Sequence, residues 1–224
     1  RRSRRGARGP RATRRRRRGS CDGAIFATSI VGSLAKERAA SLGLKLDFDD
    51  LTIHAGALTL EGARVSLRGV RSFASESREL RVSLSGLTIT AFHATDVRVA
   101  LEGSAAAVAL DLAAWSSDHE SVYSIPASAS PIAVTWSTSR GAAPWIVVDR
   151  GVLASTGKTA TLSAPAARVG DVSVGPIGAA WATQDELLSV GIGTDSLETA
   201  PIRIELRTGE ARPTADITLK PTKL

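Results

Sequence analysis

The stretch LTIHAGALTLEGARVSLRG, from Leu51 to Gly69, decides the fold, and LTITAFHATDVRVALEG, from Leu87 to Gly103, lines up with it. Both open on Leu-Thr-Ile and close on Val-x-Leu-x-Gly, at a spacing of 34 to 36 residues, which predicts one supersecondary unit used more than once. Each unit is expected to be a short meander. Meanders placed side by side extend a sheet rather than close a globule.

Outward from these stretches the same period of two recurs. Leu44, Leu46 and Phe48 alternate with Lys45, Asp47 and Asp49, and the alternation returns at 58–61, 64–68, 79–84, 87–90 and 96–102. Strict alternation marks strands with one face buried. The inward set is Leu44, Leu46, Phe48, Leu58, Leu60, Val65, Leu67, Leu80, Val82, Leu84, Leu87, Ile89, Val97, Val99 and Leu101. Further strands are expected at 132–136, 145–149, 159–162, 169–174, 187–192, 202–207 and 215–219. Gly, Pro and Ser clusters at 137–144, 163–165, 175–178 and 209–213 are expected to be the turns between them. About a dozen strands stand against two helices. The fold class is mainly β, an extended antiparallel sheet or open β-groove of meander repeats, with an N-terminal helix and one short internal helix.

The N-terminal helix runs from about Ala24 to Leu42, with Lys36, Glu37 and Arg38 on a polar face and Gly43 as its stop. The internal one is SAAAVALDLAAW, Ser104 to Trp115; it suits a helix capped by Ser104, although Val108, Leu110 and Leu112 also fit a strand. Four segments follow: a disordered Arg-rich tail (1–20), an apolar or amphipathic helix, readable as a degraded anchor or signal or as an ordinary helix (21–43), a first β-meander unit with a short helix (44–120), and a second β-rich half (121–224).

Charge divides the same way. Eleven of the first eighteen residues are Arg, more than the whole net charge of +7, so the body after Arg18 is acidic. The tail lacks interleaved aromatics to stack bases, which argues against a specific nucleic-acid partner. Beside an apolar segment it suits an anionic membrane surface, through Arg1 to Arg18, at about 1 kcal/mol per Arg. A low-complexity overhang is the plain alternative. The apolar segment Gly23 to Ala35 is broken by Thr28, Ser29 and Ser33 and is shorter than the roughly 20 residues of a spanning helix. It reads as an export signal, an anchor remnant or an ordinary amphipathic helix. With no Met, no Asn and one Gln, the chain reads as a fragment or one lacking its true start. The single Cys21 allows no intrachain disulfide and leaves the redox compartment open.

Motifs with chemical potential reduce to simpler features. Ser155 to Thr159 (STGKT) resembles the end of a phosphate-binding loop, but the glycine spacing is wrong and strands flank it, so it predicts a hairpin turn. Asp118, His119, Glu120 and Ser121 are adjacent in sequence, which is not the geometry of a triad. Asp47, Asp49, Asp50 and His54 lack the further ligands and glycine turn of a calcium loop. His93 stands alone, and Gly191-Ile192-Gly193 and Gly175 to Gly178 fit turns and bulges. No catalytic, metal or cofactor site is expected, and no enzyme in this segment.

The order of features from Ala24 to Ser104, namely a basic flank, an apolar segment, Ala39-Ala40-Ser41-Leu42-Gly43-Leu44, then Leu46-Asp47-Phe48 and the Leu-x-Leu-x-Gly strands, resembles the N-terminal region of AsmA-like and TamB-like bacterial envelope proteins. The resemblance implies an inner-membrane anchor, a periplasmic body, and a sheet rolled into a trough that shelters or conveys membrane lipid. Leu46, Phe48, Leu60, Leu67, Val82, Leu84, Val99 and Leu101 are the candidate groove residues. Further β-domains of a longer chain are a second expected partner. Two other readings stand beside it: a β-rich accessory region of a larger envelope enzyme, such as a peptidoglycan glycosyltransferase, and a β-sandwich interaction module without ligand.

Overall fold

The computed structural model describes residues 21–86, 88–119, 124–182, 185, 187–194, 196–207 and 214–220. The expected disordered tail, Leu87, Glu120, Ser121 and the turn cluster at 209–213 lie outside the described residues. The elements in chain order are α1 (Cys21–Ser41), β1 (Leu44–Asp47), β2 (Asp50–His54), β3 (Ala57–Leu67), β4 (Phe73–Ser85), β5 (Thr88–Glu102), α2 (Ala105–Asp118), β6 (Ala127–Ser137), β7 (Ile146–Ser155), β8 (Thr159–Val169), β9 (Val172–Ala182), β10 (Leu187–Ile192), β11 (Ile202–Arg207) and β12 (Thr214–Leu219). Among the described residues, twelve strands join one sheet in chain order, with β1 and β2 together flanking the two halves of β3, and its two ends do not pair with each other.

The ladder is antiparallel except at one place. β5 and β6 run parallel, because α2 intervenes and carries the chain back to the starting end of β5 before β6 begins, as a parallel pair requires. The expected all-antiparallel sheet is therefore mixed. Ser104 caps α2, its hydroxyl accepting from the Ala107 amide at 3.3 Å.

Every strand from β3 to β9 has unpaired residues at the same level, and the register shifts there between β6 and β7 and between β8 and β9. The backbone has positive φ at Gly62 (59°), Asp96 (52°), Arg150 (53°) and Gly175 (74°). Pairing skips Gly62 and Arg78, then Asp96, then Ser130 and Pro131, then Pro165. A left-handed residue within a strand shifts the side-chain alternation by one. Residues three apart then face the same way, as Leu60 and Ala63, Ala129 and Ile132, and Ala164 and Ala167 do within their core clusters. The sheet is thus creased along one transverse line, and all three clusters straddle it.

The crease corrects several expectations. Segments 58–61 and 64–68 are two phases of one strand, as are 88–90 and 96–102. Leu51 to Gly69 is the β2–β3 hairpin, whereas Thr88 to Glu102 is a single strand, so the repeated pattern is not a repeated meander. What recurs is the creased strand itself, with Gly62 and Asp96 both left-handed and followed by x-Arg-Val-x-Leu. The clusters at 163–165 and 175–178 sit inside β8 and β9 rather than in turns. The expected strand 169–174 is instead the hairpin between them, closed by the Val169–Val172 pair with Gly170 at φ 59°.

Side chains opposite one another in a ladder share a face. The register therefore defines one continuous apolar row across ten strands: Leu60, Leu80, Ala94, Ala129, Leu153, Leu162, Ala179, Val190, Ile204 and Ile217. This is the inner face. The other face carries an alternating ladder, Asp47, Arg64, Glu76 and Arg98, on four neighbouring strands.

Candidate apolar site

The helix α1 lies over β1 and β2 at one end of the inner face. Val31, Leu34, Ala35, Arg38, Ala39 and Leu42 form its inward stripe, at the three-and-four spacing of an amphipathic helix. Between that stripe and the sheet is a cavity of about 360 Å³. Its floor is Leu44, Leu46, Ile53, Leu58, Leu60, Val65, Leu80, Val82, Leu84, Ile89 and Phe92. Every lining side chain is apolar except Arg38, whose guanidinium forms no ion pair among the described residues.

Polar contacts hold α1 in place at the cavity rim. Lys36 Nζ lies 2.8 Å from Asp47 Oδ1 and 4.9 Å from the centre of the Phe48 ring. Phe48 in turn sits against Gly32, where a Cβ would come within 3.3 Å of its ring. The hydrogen bond from Lys36 and then the Phe48 amide hold the Asp47 carboxyl below its ordinary value. Arg64 bridges Asp49 at 2.8 Å and Asp47 at 3.5 Å. The hydrogen bond and charge of Asp49 raise the Arg64 pKa. The aspartates considered as a cation loop are therefore occupied by Lys36 and Arg64, and Asp50 accepts from the Leu51 amide at 2.8 Å.

The helix stop is gripped from a second side. The Gly43 carbonyl accepts from the Arg68 amide at 2.8 Å and from Trp115 Nε1 at 3.1 Å. His119 stacks on Trp115 at 4.8 Å, and its ring blocks the space beside Gly43. That contact gives His119 a packing role. Ser155 to Thr159 forms the β7–β8 turn, with the Thr156 amide bonded to the Thr159 carbonyl at 3.0 Å. His93 pairs with Ser128 Oγ at 2.7 Å.

Of the candidate groove residues, Leu46, Leu60, Val82 and Leu84 line the cavity and Phe48 packs beside it. Leu67, Val99 and Leu101 lie on the same face beyond the crease and do not line it. Val99 packs instead with Val97 and Ile132. The α1 stripe and Arg38 were not among the candidates, although the spacing 31, 34, 35, 38, 39, 42 was the signal for them. Among the described residues, no group of three or more His, Cys, Asp or Glu side chains could hold a metal ion. Nor is any described helix long and apolar enough to cross a membrane. No protein-family model matches the chain, and no curated protein matches it.

Proposed function

We propose that the chain is a non-catalytic envelope protein that shelters a lipid acyl chain on its inner face, in the manner of the AsmA-like proteins it resembles. The observation that carries this reading is the cavity beneath α1, whose described lining is apolar apart from Arg38. A volume of about 360 Å³ is at the low end of small-molecule sites, roughly 300–1,000 Å³, so it takes one chain end rather than a whole two-chain lipid. Each buried CH₂ contributes about 0.8 kcal/mol. Arg38 would hold an anionic head group outside the apolar walls. The remaining inner rows, which continue to β12, would carry the rest of the hydrocarbon. Arg1 to Arg18 precede α1 by two residues in sequence and would bring this end of the sheet to an anionic membrane surface, with the body in the periplasm.

Native mass spectrometry of the intact chain tests this. The expected result is co-purifying phospholipid or fatty acid, lost in Val82→Asp, where a charge enters the apolar floor. Leu34→Glu is the companion variant, because Leu34 is 56% exposed and its replacement is expected to leave the fold intact. Lipid-free protein, or lipid retained unchanged in a folded Leu34→Glu variant, would contradict the proposal.

A further inference from the structure

We propose that β12 is a self-complementary edge on which a second copy of this chain adds its own β12, joining two sheets across a two-fold axis at Ile217. This pairing does not depend on what the inner face holds. Lys220 donates its amide to the Pro201 carbonyl at 2.8 Å, and Leu219 is the register partner of Ile202. Along an antiparallel ladder, hydrogen-bonded and non-bonded pairs alternate. Residues 214, 216 and 218 therefore direct their backbone groups to β11, while Ala215, Ile217 and Leu219 direct theirs to the free side. Among the described residues no strand pairs there.

Two copies of β12 can pair antiparallel with inner faces aligned only if residues of the same parity oppose one another, since a one-residue slip exchanges the faces. Centred on Ile217, that register sets Ala215 against Leu219 and Ile217 against its own mate. All six free amide and carbonyl groups of each strand are then satisfied. It also places Asp216 opposite Thr218 of the second copy, so no like charges meet. Ile217 and Leu219, 66% and 71% exposed, each gain an apolar cross-strand neighbour.

The opposite end of the sheet does not offer a matching edge. Its outer side is split into β1 and β2 at Phe48 and Asp49, carries Lys45, Asp47 and Asp50, and is overlain by α1. Breaks and charges of this kind are how natural edges resist pairing. β12 has none of them within its span save Asp216, which the register places opposite a threonine. A two-fold contact therefore closes, where a head-to-tail one would propagate. A single strand pair is smaller than a standard interface of about 1,600 Å², so the association is expected to depend on concentration.

The test is sedimentation equilibrium of the full 224-residue chain, with Ile217→Lys and Ile217→Glu alone and mixed. The wild type should show a monomer–dimer equilibrium. Each variant alone should weaken it at least tenfold, because like charges face each other at the axis, and an equal mixture should restore a heterodimer. A circular dichroism spectrum like the wild type's shows that the variants fold, as expected at an exposed position. Ile217→Cys in a Cys21→Ser background supplies the second readout, a disulfide-linked dimer on mild oxidation. A wild type that stays monomeric throughout the concentration range, variants that associate as it does, a mixture that fails to restore the dimer, open-ended polymers, or no disulfide-linked dimer from the Ile217→Cys variant would each overturn the proposal.

Discussion

Leu60 on β3 and Ile217 on β12 occupy the same row of the inner face, yet Leu60 is 1% exposed and Ile217 is 66% exposed. Their strands show the same alternation of apolar and polar residues. The difference lies in what stands over them. At β1–β5 the helix α1 and the crease bring Val31, Leu46, Phe48, Leu58 and Leu80 around Leu60 and its neighbours. At β12 every residue of the strand is exposed, although Gly191 on β10 is closely approached from the other face by Leu197 and Ala200. Period-two patterning therefore sets which way a side chain points, and burial is decided by separate elements.

Core truncation should break the symmetry of that row most visibly. Leu60→Ala should cost about 2–5 kcal/mol in chemical denaturation, the range for a buried leucine. Ile217→Ala should stay within about 0.5 kcal/mol, measured in dilute protein. Equal losses at the two positions would show that the uncovered end is buried by something else.

The next effect sharpens the role of the crease. Gly62 and Gly86 have nearly the same φ, 59° and 62°, but a Cβ at Gly62 would collide with the Asp49 carboxylate while one at Gly86 meets nothing within 4 Å. Ala at Gly86 should cost about 1–2 kcal/mol from backbone conformation alone. Ala at Gly62 should cost more, and should also disturb the Arg64–Asp49 pair. A smaller change is expected from Trp115→Phe, which removes the indole bond to Gly43 and should lower stability by about 1 kcal/mol.

The mildest test is acidification. The folded-state pKa of Asp47 is depressed, so its pairing with Lys36 contributes fully above the ordinary carboxyl value of 3.8 and is lost as pH falls through the lower folded value. Amide exchange in α1, normalised for the intrinsic pH dependence, should rise below about pH 4, and Asp47→Asn should show that rise already at neutral pH. An α1 protected equally in both would remove the ion pair from the account of how the helix is held.

Much of this was legible in the residues. The alternation of Leu44, Leu46, Leu58, Leu60 and Val82 identified the inner face, and Gly43 and Ser104 marked helix boundaries at which α1 ends and α2 begins. The crease was not legible, because a left-handed Asp96 or Arg150 carries no sequence signal comparable to glycine. Where glycine and proline did occur, at Pro165, Gly175 and Pro176, the local rule for turns competed with a kink inside a strand. The parallel pairing of β5 and β6 depends on where α2 returns the chain, which is a tertiary matter. The α1 stripe was present in the spacing, but Arg38 within it reads as surface charge until the cavity beneath is seen.

Photo-crosslinking of the intact chain with a phospholipid carrying a diazirine near the end of one acyl chain, followed by peptide mapping, tests most directly whether the α1 cavity holds lipid. Adducts are predicted on the walls of the α1 cavity, at Leu34, Leu58, Val82, Ile89 and Phe92, and competed away by unlabelled lipid. Adducts confined to the polar face around Arg64, Glu76 and Arg98, or none that lipid competes for, would contradict it.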